Sequence, residues 1–97
     1  MYNHAYNALS QVSFDPKKDA KNKHGISLAE ADGVLNDPLA LTVEDKAAEG
    51  ERRFVSIGLD LLQRLTVVVY ADYGDKIRLI AARAATPRER RAYEKGI

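Results

Sequence analysis

Arg64-Leu-Thr-Val-Val-Val-Tyr70 and Asp75-Lys-Ile-Arg-Leu-Ile-Ala-Ala-Arg83, joined through Tyr73-Gly74, decide the fold of this chain. Both are apolar, β-branched-rich runs of strand length, and a glycine among polar residues between them is a hairpin signal. The two runs are therefore expected to pair antiparallel. Working back, Arg53-Phe-Val-Ser-Ile57 reads as a further strand, turning through 58–63 by a four-residue loop into Arg64. With the first turn centred on Tyr73 and Gly74, Arg83 would stand opposite Arg64, and Arg53 would share their face, leaving Arg78 on the other. A one-residue bulge at Gly74 would exchange the faces of the last strand. Cations inside buried strands need anions. The plain reading is a carboxylate from a covering helix for each; taken together, the set also suits a phosphate.

Further out, the elements are short and well punctuated. Residues 1–10 read as a polar tail, and 11–97 as a single domain of a size that forms one core without staples. Residues 11–15 suit a short edge strand, and Asp15-Pro16 suits the start of a polar helix over 17–23, stopped by Gly25. Ser27-Leu-Ala-Glu30 is a capping box that opens a helix to about Asn36, with Leu28, Ala31 and Leu35 on one side. Asp37-Pro38 ends it, and 39–43 alternates as a strand. Thr86-Pro87-Arg88-Glu89 repeats the helix-start signal, and Gly96 closes that helix. The order predicts an α+β fold: an antiparallel sheet of about four strands, N-terminal helices packed on it, and a short C-terminal helix.

The 97 residues contain no cysteine, so there is neither a disulfide framework nor a thiolate metal site. The two histidines, His4 and His24, have no metal-ligand spacing, and no cofactor loop or membrane-spanning stretch is present. No secretory pattern opens the sequence, which makes the cytoplasm the expected location. A net charge of +1 excludes a uniformly basic nucleic-acid binder. Its distribution says more: 37–51 leans acidic, whereas the stretch from Lys76 onward leans basic. That fits a local anion site or a docking surface for an acidic partner.

What remains is an inventory for phosphodiester chemistry. A ribonuclease that uses the substrate's own 2′-hydroxyl needs a base near that hydroxyl, cations on the phosphorane, and a proton for the departing 5′-oxygen. Arg53, Arg64, Arg78 and Arg83 are candidates for the cations, because a guanidinium fork matches phosphate oxygens and stays charged. Lys23 and His24 are candidates for the proton-handling group, although a histidine after a helix end is commonly a capping or packing residue. Tyr93 reads as a helix-face or core tyrosine, with base stacking or proton transfer as the functional alternative.

Taken in order, Asp15-Pro-Lys-Lys, Lys23-His-Gly-Ile-Ser-Leu-Ala-Glu-Ala31, Asp37-Pro38, Glu51-Arg-Arg-Phe-Val-Ser-Ile-Gly58, Arg64-Leu-Thr-Val-Val-Val-Tyr70, Gly74-Asp75-Lys-Ile-Arg78, Ala82-Arg83 and Arg88-Glu-Arg-Arg-Ala-Tyr-Glu94 resemble the BrnT family of bacterial type II toxins. The resemblance implies a RelE-like fold and a ribonuclease that blocks translation. It also implies a cognate BrnA-type antitoxin that binds DNA and represses the shared operon, so that operator DNA is reached only through that partner. The chain departs from the family where an aromatic-acid-tryptophan-aspartate signature is usual, reading Val12-Ser-Phe-Asp15, and 15–23 is shorter than usual. A non-catalytic module that binds an antitoxin or another acidic protein is the rival reading.

Overall fold

The computed structural model describes residues 11–15, 26–46 and 50–96. The tail 1–10, the helix expected over 17–23, and both Lys23 and His24 lie outside them. In chain order the elements are β1 (Gln11–Phe14), α1 (Leu28–Ala31) running into a 3-10 turn (Asp32–Asn36), β2 (Leu41–Asp45), β3 (Arg52–Leu59), β4 (Leu65–Asp72), β5 (Lys76–Ala84) and α2 (Pro87–Lys95).

Five strands form one sheet in the order β1-β5-β4-β3-β2, which corrects the expectation of about four. The sheet is also mixed: β1 runs parallel to β5, with Val12 beside Ile77 and Phe14 beside Leu79. No hairpin joins β1 to β5, so local turn chemistry carries no signal for that pairing. The three-strand meander is as expected, but its register differs. Arg83 faces Val67, not Arg64, and Arg53 and Arg78 both stand opposite Ala71.

The register shift lies between Val69 and Tyr70, where Val69 faces Ala81 and Tyr70 faces Leu79, leaving Ile80 as the extra residue in β5. The bulge is therefore at Ile80, not at the Gly74 turn. It reverses the alternation between Arg78 and Arg83, so that Arg53, Arg78 and Arg83 share one face. Arg64 precedes β4 and belongs to the β3–β4 turn.

The inner face carries Phe54, Val68, Tyr70, Ile77, Leu79 and Ala82, packed under Ile26 and the α1 segment through Leu28, Ala31, Val34 and Leu35. Phe54 and Tyr70 stack with ring centroids 5.6 Å apart. Among these apolar groups the Ser56 hydroxyl lies 2.8 Å from that of Thr42 and donates to Tyr70 at 3.3 Å, so that the buried hydroxyls satisfy one another. The Ser27 cap forms as predicted, its Oγ accepting from the Ala29 amide. Past Ala31 the helix tightens into the 3-10 turn, against the turn that joins β3 to β4. A Cβ on Gly33 would lie 2.5 Å from the Leu61 nitrogen, and the Glu30 carbonyl accepts from that same amide at 3.0 Å. Glycine at 33 is what allows the hairpin end to dock on the helix.

The capping box of α2 also forms: Thr86 accepts from the Glu89 amide, and the Glu89 carboxylate accepts from the Thr86 amide. Helix α2 packs on β3 and ends at Gly96 in the left-handed conformation.

Candidate functional site

Each of the four candidate arginines has a carboxylate partner, but at two separate ends of the sheet. At the end nearest the β4–β5 turn, Arg53 Nε donates to Glu51 at 2.8 Å and Arg78 approaches the same carboxylate at 3.5 Å. Tyr73 donates a short hydrogen bond to Glu51 as well. That bond and the Arg53 contact hold the Glu51 carboxyl below its usual range, while the Tyr73 hydroxyl is pushed up by the same bond. Four residues along β4 from Ala71 to Val67, about 13 Å at strand rise, separate this cluster from the level of Arg83.

Arg83 makes a two-pronged pair with Glu89, at 2.7 and 2.8 Å. The guanidinium, together with burial that opposes it and the Thr86 amide, brings the Glu89 carboxyl down to about 2. Because Glu89 is also the capping-box residue, Arg83 ties the last strand to the first turn of α2. The helix is further fixed by Tyr93, whose hydroxyl donates to Asp37 Oδ2 at 2.6 Å. Burial and this bond push the Tyr93 hydroxyl up to about 12. Asp37 also accepts from the Leu59 and Leu39 amides. Burial alone would raise its carboxyl; the three donors outweigh that and lower it.

Arg64 is held differently. Asp60, with its side chain fully buried, accepts from the Leu62 and Arg64 amides, from Arg64 Nε at 2.9 Å and from the Thr66 hydroxyl at 3.1 Å. Burial works to raise the Asp60 carboxyl, and these four donors together bring it below the usual range. A second contact, 3.4 Å to Glu30, leaves the Arg64 side chain 37 % exposed. It therefore presents a fixed cation with a free edge.

That edge opens on a groove of about 440 Å³ between the β3–β4 turn, the end of β5 and α2. Its apolar lining is Ile26, Leu59, Leu65, Ala84 and Ala85, and its polar residues are Gln63, Arg64 and Arg90. Arg90 has no carboxylate partner among the described residues. Sequence reading did not single it out: it sits in an Arg-rich helix where one exposed arginine resembles the next, and only the fold turns it toward Arg64. Lys23 and His24 precede the groove-lining Ile26 by three and two positions in the chain.

Among the described residues no group of three or more His, Cys, Asp or Glu side chains could hold a metal, and no helix is long and apolar enough to cross a membrane. Asp32 Oδ1 is buried without a hydrogen-bond partner, and burial raises its carboxyl.

Comparison with known proteins agrees with this architecture. The crystal structure of the Brucella abortus ribonuclease toxin BrnT superposes with a TM-score of 0.62 at 23 % identity, covering 79 % of this chain and 97 % of that one. No curated protein matches the sequence. The family model described as the ribonuclease toxin, BrnT, of type II toxin-antitoxin systems matches residues 14–89, most of the chain. The chain therefore belongs to the BrnT family of ribonuclease toxins.

Proposed function

We propose that this chain is an active endoribonuclease toxin that cleaves RNA at the groove beside Arg64, blocks translation in the cytoplasm, and is neutralised by a DNA-binding antitoxin of the BrnA type. The observation that supports this most directly is the groove itself. It joins a fixed, partly exposed arginine, a second guanidinium without a carboxylate partner among the described residues, and the residue that follows the Lys23-His24-Gly25 triplet.

In the proposed reaction Lys23 or His24 takes the proton of the 2′-hydroxyl, and the 2′-oxygen forms a bond to phosphorus. The bond from phosphorus to the 5′-oxygen breaks, and that oxygen receives a proton, leaving a 2′,3′-cyclic phosphate. Arg64 stabilises the added charge on the phosphorane, a task that guanidinium groups perform without a metal. Arg83 acts through Glu89 by fixing α2, and with it Arg90. Arg53 and Arg78 lie too far along the face to touch the same phosphate, and serve flanking phosphates of a longer RNA.

The test is inducible expression in a bacterium, following growth and RNA integrity, for the natural chain and for His24→Ala, Lys23→Ala, Arg64→Ala and Arg53→Ala copies at matched soluble levels. Arrest with RNA cleavage is expected. Arg64→Ala should lower cleavage by about a hundredfold, as removal of one transition-state donor does, and Arg53→Ala by much less. Normal growth and intact RNA with folded natural protein would leave the binding-module reading in its place.

A further inference from the structure

The β3–β4 turn contains a residue that its backbone does not favour. Asp60 N donates to the Arg64 carbonyl and Gln63 N to the Asp60 carbonyl, each at 3.0 Å, which closes a three-residue hairpin loop of Leu61, Leu62 and Gln63. The third loop position takes left-handed geometry and is commonly glycine. Here it is Gln63, at φ 63°, the one non-glycine residue with positive φ among the described residues. Non-glycine residues held in this region cost stability and concentrate at ligand sites. Gln63 lines the groove.

We propose that the groove is a subsite for one nucleotide of single-stranded RNA, in which Gln63 reads the edge of the base. The inference rests on the ribonuclease reading for its biological meaning, and it adds a specificity residue to it. The 440 Å³ volume is within the range of small-molecule sites. Leu59 and Ala84, over the buried Ile26 and Leu65, offer an apolar surface to the flat base. The carboxamide carries a donor and an acceptor side by side, the pair that complements a base edge. Arg64 and Arg90 bracket the groove with the charge that a phosphate requires. Unpaired bases of this kind are what RNA-binding proteins read. A protein carboxylate could use the two arginines, but it would leave both the apolar lining and the amide without a task.

The experiment titrates the four nucleoside 3′-monophosphates, inorganic phosphate and a short glutamate-rich peptide into the full-length protein, observed by amide NMR shifts. Gln63→Gly and Arg90→Ala variants run beside it. Gln63→Gly suits the test because glycine fits the turn, so the variant keeps or gains thermal stability while losing the amide. The expected result is that one base binds best, with shifts centred on Leu59, Gln63, Leu65 and Ala84. Gln63→Gly should then flatten the preference among bases, by roughly tenfold for the preferred one. Arg90→Ala should weaken all four alike. The proposal fails if inorganic phosphate or the peptide binds as well as any nucleotide, if no ligand binds, or if Gln63→Gly leaves the preference unchanged. Nucleotide binding with that pattern in a protein that cuts no RNA would uphold the subsite and overturn only the catalytic reading.

Discussion

The two ends of the sheet use the same residue types in opposite ways. Around Glu51, one carboxylate is shared by Arg53, Arg78 and Tyr73, so two guanidiniums answer to a single anion, and neither lines the groove. Around Asp60, one carboxylate is buried under its donors, and the guanidinium it orients keeps an edge facing a groove. A paired arginine is thus not by itself a structural arginine. What matters is where the rest of the guanidinium lies, since Glu51 takes only Nε of Arg53 and Arg53 does not line the groove. Asp60 takes Nε, and the more distant Glu30 is a loose second contact for the fork.

The largest effect should come from breaking the oriented end at its root. Asp60→Ala removes a carboxylate whose side chain is fully buried and strands two amides, a hydroxyl and a guanidinium. Losing one partner of such a group costs about 3 kcal/mol. Urea denaturation should show the loss, and the hairpin-docking contact between Leu61 and Glu30 should loosen with it, seen as faster amide exchange at Leu61. A midpoint close to that of the natural protein would mean that Asp60 merely accompanies Arg64 and does not hold it.

How much of this was legible in sequence follows the range of each interaction. The Ser27 cap and the Thr86 capping box were legible because their partners lie within three residues, and the Glu89 that seals the second is the same group that captures Arg83. The meander was legible because its strands are consecutive. The grouping of the arginines was not, since it depends on a bulge at Ile80 inside a run of small and apolar residues, Leu79-Ile-Ala-Ala82, where no glycine or proline marks the extra residue. The β1–β5 pairing brings together residues more than sixty positions apart. Of the site, Arg64 was visible as a cation at a strand end, while Arg90 and Gln63 acquire meaning only when the turn and α2 meet.

An intermediate effect is expected where α2 is pinned. Tyr93→Phe removes the donor at 2.6 Å from Asp37 and should cost about 1 kcal/mol in urea denaturation at neutral pH. The folded-state pKa of Tyr93, about 12, is raised above the unfolded value near 10. Its contribution is therefore complete below pH 10 and is lost as pH climbs toward 12. The gap between natural protein and variant should narrow over that window. No gap at any pH would place the Tyr93 contribution in its ring packing, which phenylalanine keeps, instead of its hydroxyl. Because α2 carries Arg90, the proposed RNA cleavage should fall with the helix anchor.

The smallest effect should come from Glu51→Gln, which sharpens the contrast between the ends by freeing Arg53 and Arg78 without touching the groove. The folded pKa of Glu51 is depressed, so its contribution is present above the unfolded carboxyl pKa and is lost as pH falls through the folded value. The stability difference between the two proteins should accordingly be small at neutral pH and vanish in acid, and cleavage of a short oligonucleotide confined to the groove should be unchanged. On a long RNA the two released guanidiniums would add phosphate contacts, and each neutralised phosphate steepens the salt dependence of binding. Tighter, more salt-sensitive binding of long RNA by Glu51→Gln would show that this end is a phosphate track held in check by its own carboxylate. Unchanged binding would mean that Arg53 and Arg78 face no RNA at all, and that recognition is confined to the Arg64 end.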